Sequence, residues 1–584
     1  MMTKPFFWKF ISILLILPLL ALFPLDGYAQ TEPETAERIA LAVMKNGQWD
    51  IYSIAPDGTL PRRLTSTPFE ETDPAYSPDG SKLTYASRRD GNWDVYLLDL
   101  RTGQESRLTS SPHYDGAPAW RPDGEAIAFE SYRDGSLDIW QVGLLPDDAP
   151  ENLTPATPES GEFSPAYSPD GRLAFASWRG DSTDLYLRET DGTLTQLTSS
   201  RSAEAFPAWH PDGRTLAFVL NDLGDREIYT LDTANPPADG GPLQHITWLG
   251  RTDAPAWSPA GDMLAGLFHR WNGQQLTLTA PGQSHRLPAE LTDTIAAQGR
   301  LSWHGQALNF GSPVATLVSI GPSALYTEAF IANDDEGEPF NLVRQNDITT
   351  GTPWLADTVD DSFQAWRQRL RRETGYDFLQ ELSDAARDVA SYTENSQYAS
   401  WHKSGRAVDT LFDYHLNGEL AHEIVKEDIG GETYWRVYLR CVDQSGACGR
   451  PLSSNPWNYS ARARTEIAPE QGGIEKAIPA GYYVDMTAIA REYGWDRISS
   501  YDDEEFGWTW NFIAFEYWHY QKRFETDGAA NWYQAMSDVY PENTLQKYFN
   551  WTKMRQIGDD PHLIALKGVP LPLEQRWWWR LVQP

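Results

Sequence analysis

Cysteine is nearly missing from this chain: 584 residues hold two, Cys441 and Cys448. In an exported protein such a close pair fits one disulfide, closing a small loop that stabilises only locally. The rival reading is half of a zinc site, and no further set of Cys or His sits nearby to complete it. Basic residues are also short, 48 Lys and Arg against 82 Asp and Glu, for a formal net charge of -34. So acidic a chain does not bind nucleic acid through its overall field, and anionic surfaces repel it. The surplus reads mainly as solubility. Long apolar runs are confined to the N-terminus, so no membrane span is expected in the mature protein. Aromatics are plentiful, 13% with 25 Trp, which argues against disorder. The length exceeds what one core supports, so two or more domains are expected.

The N-terminus reads as an export signal. Lys4 and Lys9 supply the positive end, Ile11 to Phe23 is apolar apart from Ser12, and Gly27-Tyr28-Ala29 offers small residues for cleavage. Cleavage is expected after Ala29, which makes residues 1–29 a signal peptide and the product periplasmic, envelope-bound or secreted. The alternative is an uncleaved anchor, for which the run is short. No Cys stands near the end of the signal, so a lipid anchor is not supported.

The next part is repetitive. Asp73-Pro-Ala-Tyr-Ser-Pro-Asp-Gly80 returns at Ala117–Gly124, Ser164–Gly171, Phe206–Gly213 and, with Ala for Asp, Ala254–Gly261, at spacings of 42 to 48 residues. Each Pro-Asp-Gly turn is followed by an alternating strand, such as Lys82–Ala86, then a second, such as Trp93–Leu97. A third ends in Arg-Leu-Thr or a relative, at 107–109, 152–154 and 196–198. Four strands per 40-odd residues make one propeller blade. Leu301–Phe310 reads as a degenerate first strand pair, whose later strands are Arg38–Val43, Trp49–Ile54 and Arg62–Thr65. A blade built from both ends would close the ring and hide its edges. Five full blades and one composite give six. The Asp and Trp of the repeats read as turn and packing residues.

This repeat resembles the TolB-type β-propeller over residues 38–312, and the domain is placed at 30–320. Propellers host many functions, so the resemblance implies a binding or scaffold role for a protein or glycan partner without naming one. A similar propeller precedes the hydrolase domain of prolyl oligopeptidases. That reading needs a Gly-x-Ser-x-Gly elbow downstream, and none is present.

From about Ser323 the repeat stops. Residues 321–584 read as a second, α+β domain, with helices over Asp360–Thr374 and Phe378–Ala390 and a strand over Thr433–Val442. Two strings carry the chemistry. Ser400-Trp-His-Lys-Ser-Gly-Arg-Ala-Val-Asp409 supplies an imidazole and a carboxylate seven residues apart, and Glu516-Tyr-Trp-His519 supplies a second imidazole and a spare glutamate. Two neutral imidazoles and one carboxylate make a three-ligand zinc site with an open fourth position. Glu516 would be the general base. His415, His422 and His562 read as surface or structural.

The pattern Ser-x-His-x-x-Gly-x-Ala-x-Asp, followed by Glu-x-Trp-His, resembles the zinc D-alanyl-D-alanine carboxypeptidase family of the VanY and VanX type. The resemblance implies Zn2+ on His402, Asp409 and His519, Glu516 as catalytic base, and a peptidoglycan peptide with D-amino acids as substrate. It also implies an upstream Arg that polarises the scissile carbonyl. The family's Ser-x-Tyr-Arg-Ser string is absent, and Arg387 in Ser383-Asp-Ala-Ala-Arg387 is the nearest analogue, a surface salt-bridge Arg being the other reading. Asp409 and Glu516 stand far apart, so 415–490 is expected to be an insertion that reshapes the cleft. The alternatives are an endopeptidase for another wall-peptide bond, or a non-catalytic propeller-based binding protein with a degenerate peptidase domain.

Overall fold

The computed structural model describes residues 37–572 apart from internal stretches, the longest of which are 282–288, 309–315, 318–324, 330–341, 392–399 and 464–471. The expected signal peptide lies outside the described residues, as do positions 306, 307, 309 and 310 of the degenerate strand pair.

Six antiparallel sheets follow one another from residue 38 to 317. The second is typical: Glu71–Tyr76, Lys82–Ser87, Asp94–Asp99 and Glu105–Arg107 pair in sequence order. The Gly that ends each turn string takes a left-handed φ, for example 68° at Gly80 and 74° at Gly124, which only Gly adopts without strain. The inner strand of each full blade carries a bulge at the residue before its first Pro. Asp73, Ala117, Ser164, Phe206 and Ala254 sit there with φ between 47° and 58°. The strand register slips at this point in each case. A bulge leaves one residue out of the ladder, which is where a Pro lacking its N–H is tolerated.

The repeated Thr also has a structural task. Thr65, Thr109, Thr154, Thr198 and Thr247 each accept through Oγ1 the backbone N–H of Ile51, Val95, Ile139, Leu185 or Ile228, all at 2.9 Å. The hydroxyl thus satisfies a buried donor where the short outer strand has already ended.

The composite blade closes the ring. Ala297–His304 is its inner strand and pairs with Arg38–Lys45, Ile39 opposite Trp303. Gln48–Ile54 and Arg62–Arg63 follow, and Thr316–Leu317 adds a fifth strand. The described part of the late segment therefore supplies one inner strand, and its partner comes from the N-terminus.

The second half holds the expected helix Asp360–Thr374, which buries Phe363, Trp366 and Leu370 and ends at Gly375 with φ 78°. The helix expected over Phe378–Ala390 does not form; the segment is turns and bends. Its backbone is committed elsewhere. Ser383 N–H donates to Asp409 O at 2.9 Å, Asp409 N–H to Asp384 O at 2.9 Å, and Arg387 N–H to His402 O at 3.2 Å. Those partners satisfy the groups a helix would use, so tertiary pairing overrides local propensity. The expected strand at 433–442 appears as Glu432–Arg440, between His422–Ile429 and Tyr483–Asp485. Cys441 and Cys448 are bonded.

The second half is seated on one mouth of the propeller. Trp93 Nε1 donates to Gly449 O at 2.7 Å, Tyr114 N–H to Tyr482 Oη at 3.0 Å, and Asp428 N–H to Gly224 O at 2.9 Å. Arg88 pairs with Glu373 at 2.7 Å and Arg369 with Glu70 at 2.9 Å. The two halves enclose a polar cavity of about 230 Å3. Gly449, Asp428 and Tyr482 all lie in the stretch 415–490, so much of that stretch docks the halves together.

Candidate metal centre

Ser400 starts a 3-10 turn over Trp401–Ser404, its side chain accepting from His402 N–H at 3.3 Å. Gly405 ends the turn with φ 69°. A Cβ there would meet Ala356 N at 2.7 Å, so Gly is required by both conformation and space. The chain then enters the strand Ala407–Asp409, which pairs with His519–Gln521 so that Asp409 lies directly opposite His519.

Direct pairing puts both side chains on one face, and His402 reaches the same point from the turn. His519 Nδ1 is 2.8 Å from Asp409 Oδ1, His402 Nε2 is 3.2 Å from the same oxygen, and the two ring nitrogens are 3.3 Å apart. These three atoms form a group able to hold a metal ion. Zinc ligands at ~2.1 Å in tetrahedral array stand about 3.4 Å from one another, close to the separations found. The other His402 nitrogen, Nδ1, donates to Ala385 O, which leaves Nε2 its lone pair for the centre. All three residues are buried. Burial works against the Asp409 charge, but His402 and His519 hold its carboxyl well below the usual range, so it is ionised. Donor types, spacing and tautomer all fit zinc.

Glu516 ends a 3-10 turn over Phe512–Phe515 with φ 59°, a strained conformation for a residue with a side chain. Its carbonyl accepts from His519 N–H at 3.1 Å, so the short turn fixes base and ligand together. Burial pushes its carboxyl up to about 7, and Asp409 adds to the rise while His519 and Arg387 oppose it. Arg387 Nη2 lies 3.2 Å from Asp409 Oδ2 and its Nε donates to Asp384. The structure thus gathers His402, Asp409, His519, Glu516 and Arg387 at one place.

Two contributors were not read from the sequence. The Ala385 carbonyl has no side-chain signal. Asp384, which anchors Arg387, lies within the string quoted for that Arg and is silent until the segment is seen to run along Asp409. Of the other histidines, His422 is buried against Tyr517 and Tyr414. Burial pushes its pKa down to about 4, so it is a neutral packing residue. His415 sits exposed on a two-residue strand. His562 is the second residue of the last short helix, Pro561–Leu566.

The match to a known sequence family falls on the propeller. The sequence family described as the TolB beta propeller domain covers residues 70–154 and 156–299. A TolB homolog of Chlorobium luteolum is 34% identical over 191 residues, 32% of this chain and 32% of that protein. The uncharacterized peptidase YuxL of Bacillus subtilis is 30% identical over 110 residues, 17% of this chain and 16% of that protein. The chain thus spans about a third or less of the length of these curated relatives. Among solved structures, TolB from Acinetobacter baumannii is similar with a TM-score of 0.40 and 23% identity, over 46% of this chain and 67% of that one. Among the described residues no helix is long and apolar enough to cross a membrane. The N-terminal part of this chain is a TolB-like β-propeller.

Proposed function

We propose that the second half is a zinc metallopeptidase of an exported protein, acting on D-amino-acid-containing wall peptides at or near a D-Ala-D-Ala terminus. The propeller would serve it as a binding or scaffold domain. The observation that carries this reading is the meeting of His402 Nε2, Asp409 Oδ1 and His519 Nδ1 at one buried point, with Glu516 fixed beside them. The resemblance of the two strings to the VanY and VanX type supplies the substrate class.

His402, Asp409 and His519 would hold the ion. Bound there, zinc supplies Lewis-acid activation of water and of a peptide carbonyl. Glu516 takes a proton from the attacking water and returns it to the leaving amine. Arg387, held by Asp384 and Asp409, steadies negative charge that grows on the carbonyl oxygen. Asp409 thereby serves two groups, one oxygen toward the donor centre and one toward Arg387.

The test is release of D-Ala from a pentapeptide ending in D-Ala-D-Ala, with and without a chelator. The expected outcome is release that the chelator abolishes and added zinc restores. Release that is indifferent to chelation would overturn the metal reading, and a zinc-loaded chain that releases nothing would overturn the substrate.

A further inference from the structure

Four successive junctions between blades each bury two carboxyls, one from the third strand of a blade and one from the inner strand of the next. They are Asp50 with Glu71, Asp94 with Asp115, Asp138 with Glu162, and Asp184 with Glu204, none more than 7% exposed. The cations that face them fall away along the ring. At the first two junctions every carboxyl has its own arginine. Arg63 is 2.8 Å from Asp50, Arg89 is 3.2 Å from Glu71, and Arg107 and Arg133 are each 2.6 Å from Asp94 and Asp115. At the third, Arg179 stands 2.9 Å from Glu162 alone. At the fourth, Gln196 takes the place that Arg63 and Arg107 hold before Leu-Thr. Among the described residues no cation there comes within ion-pair distance of either carboxyl.

Asp184 and Glu204 nonetheless hydrogen-bond to each other. Ionised carboxylates only accept, so this contact needs a proton on one of them. The neighbours leave it no substitute. Gln196 Nε2 donates to Asp184 Oδ2 at 3.2 Å, Thr198 Oγ1 to Glu204 Oε2 at 3.2 Å, and Ser200 Oγ to Glu204 Oε1. Asp184 Oδ1 is buried and takes a bond from none of them. Burial pushes Asp184 up to about 6 and Glu204 up to about 8, with Asp184 adding to the rise at Glu204. The other ionisable neighbours, Tyr186 and, bonded to Ser202, Asp222, bring no positive charge.

The same junction is part of the seam with the second half. Thr183, beside Asp184, donates through Oγ1 to Asn455 Oδ1 at 2.8 Å. Glu204 lines a cavity of about 30 Å3 together with Asn455 and Arg226, and Arg226 is turned to Asp253 at 3.5 Å. Such a space holds about two waters, too few to solvate two carboxylates. Charge on both groups therefore favours parting of the seam.

We propose that Asp184 and Glu204 share one proton in the folded chain, and that its loss loosens the seam between the propeller and the second half. The fold then carries a pH-sensitive joint, closed in acid and looser in base. The folded chain holds a proton that the unfolded chain has released. The stability this gives is present in full below about 4, the ordinary carboxyl value, and is lost as the pH rises through about 8. The joint stands apart from the peptidase reading.

The test is hydrogen exchange on the full chain at pH 6 and pH 9, corrected for the intrinsic exchange rate, and read on peptides covering 183–188, 203–209 and 453–456. In the unmutated chain protection at these places is expected to fall on the order of tenfold, the weight of one proton over one pH unit. Glu204→Gln and Asp184→Asn keep the shape and donate the bond at any pH, so each should hold its protection at pH 9. Unchanged protection in the unmutated chain overturns the proposal. So does a fall spread evenly over the chain, which general repulsion at a net charge of -34 would give, or an equal fall in either variant. If neither variant folds, the unmutated chain decides alone.

Discussion

Glu516→Gln is expected to lower turnover of a D-Ala-D-Ala peptide by about 10²- to 10⁴-fold, the usual weight of a positioned general base, while zinc content stays at the level of the unmutated chain. The amide has the shape of the carboxylate but does not accept the proton. It leaves the donors alone, because Glu516 holds His519 through its backbone carbonyl. The strained φ of 59° at this residue is common to Glu and Gln, so the turn is kept. Steady-state kinetics with metal analysis on the same preparations checks this. A rise in KM with kcat unchanged would make Glu516 a binding group, and undiminished kcat/KM would remove it from the mechanism.

His402→Ala is expected to be more severe at the metal. It deletes a donor that is 1% exposed and leaves Asp409 Oδ1 with one imidazole instead of two. Partners one shell further out already cost 10- to 100-fold in affinity in comparable sites, so zinc affinity should drop by at least about 10²-fold and hydrolysis should fall with it. Truncation of a buried ring also leaves a cavity, at a cost of about 2 kcal/mol or more. His402→Gln keeps most of the volume and separates the two effects: it should lose zinc with a smaller loss in thermal midpoint. Metal titration and thermal unfolding of both variants provide the measurement. Zinc binding at full strength in either variant would contradict the assignment.

The propeller was legible because its constraints are local and recur. Pro-Asp-Gly marks each turn at the glycine that must go left-handed, and the alternating strands follow at fixed offsets. The closing strand was legible as well, since Arg38–Ile54 lacked an inner strand and the segment near Leu301 lacked outer ones. The Thr in Arg-Leu-Thr was visible as a repeat, but its task was not, because its partner N–H lies 13 to 19 residues earlier on another strand.

In the second half, residue types with chemical meaning were readable at their spacing: His402, Gly405, Asp409, Glu516 and His519. The segment 378–390 was misread as a helix because its composition suits one. Its hydrogen-bond partners, Asp409 and the His402 carbonyl, lie some 15 to 26 residues downstream. The stretch 415–490 was read as reshaping the cleft. Its Gly449 carbonyl, Asp428 amide and Tyr482 hydroxyl clasp the propeller. The first two are backbone groups, which leave no mark in a sequence.

The account turns on whether the three buried donors hold zinc, and the most direct test is zinc per chain on the purified full-length protein after dialysis against metal-free buffer. About one zinc per chain, falling to background in His402→Ala, is the predicted result. No zinc in the unmutated chain after loading and dialysis would contradict the account.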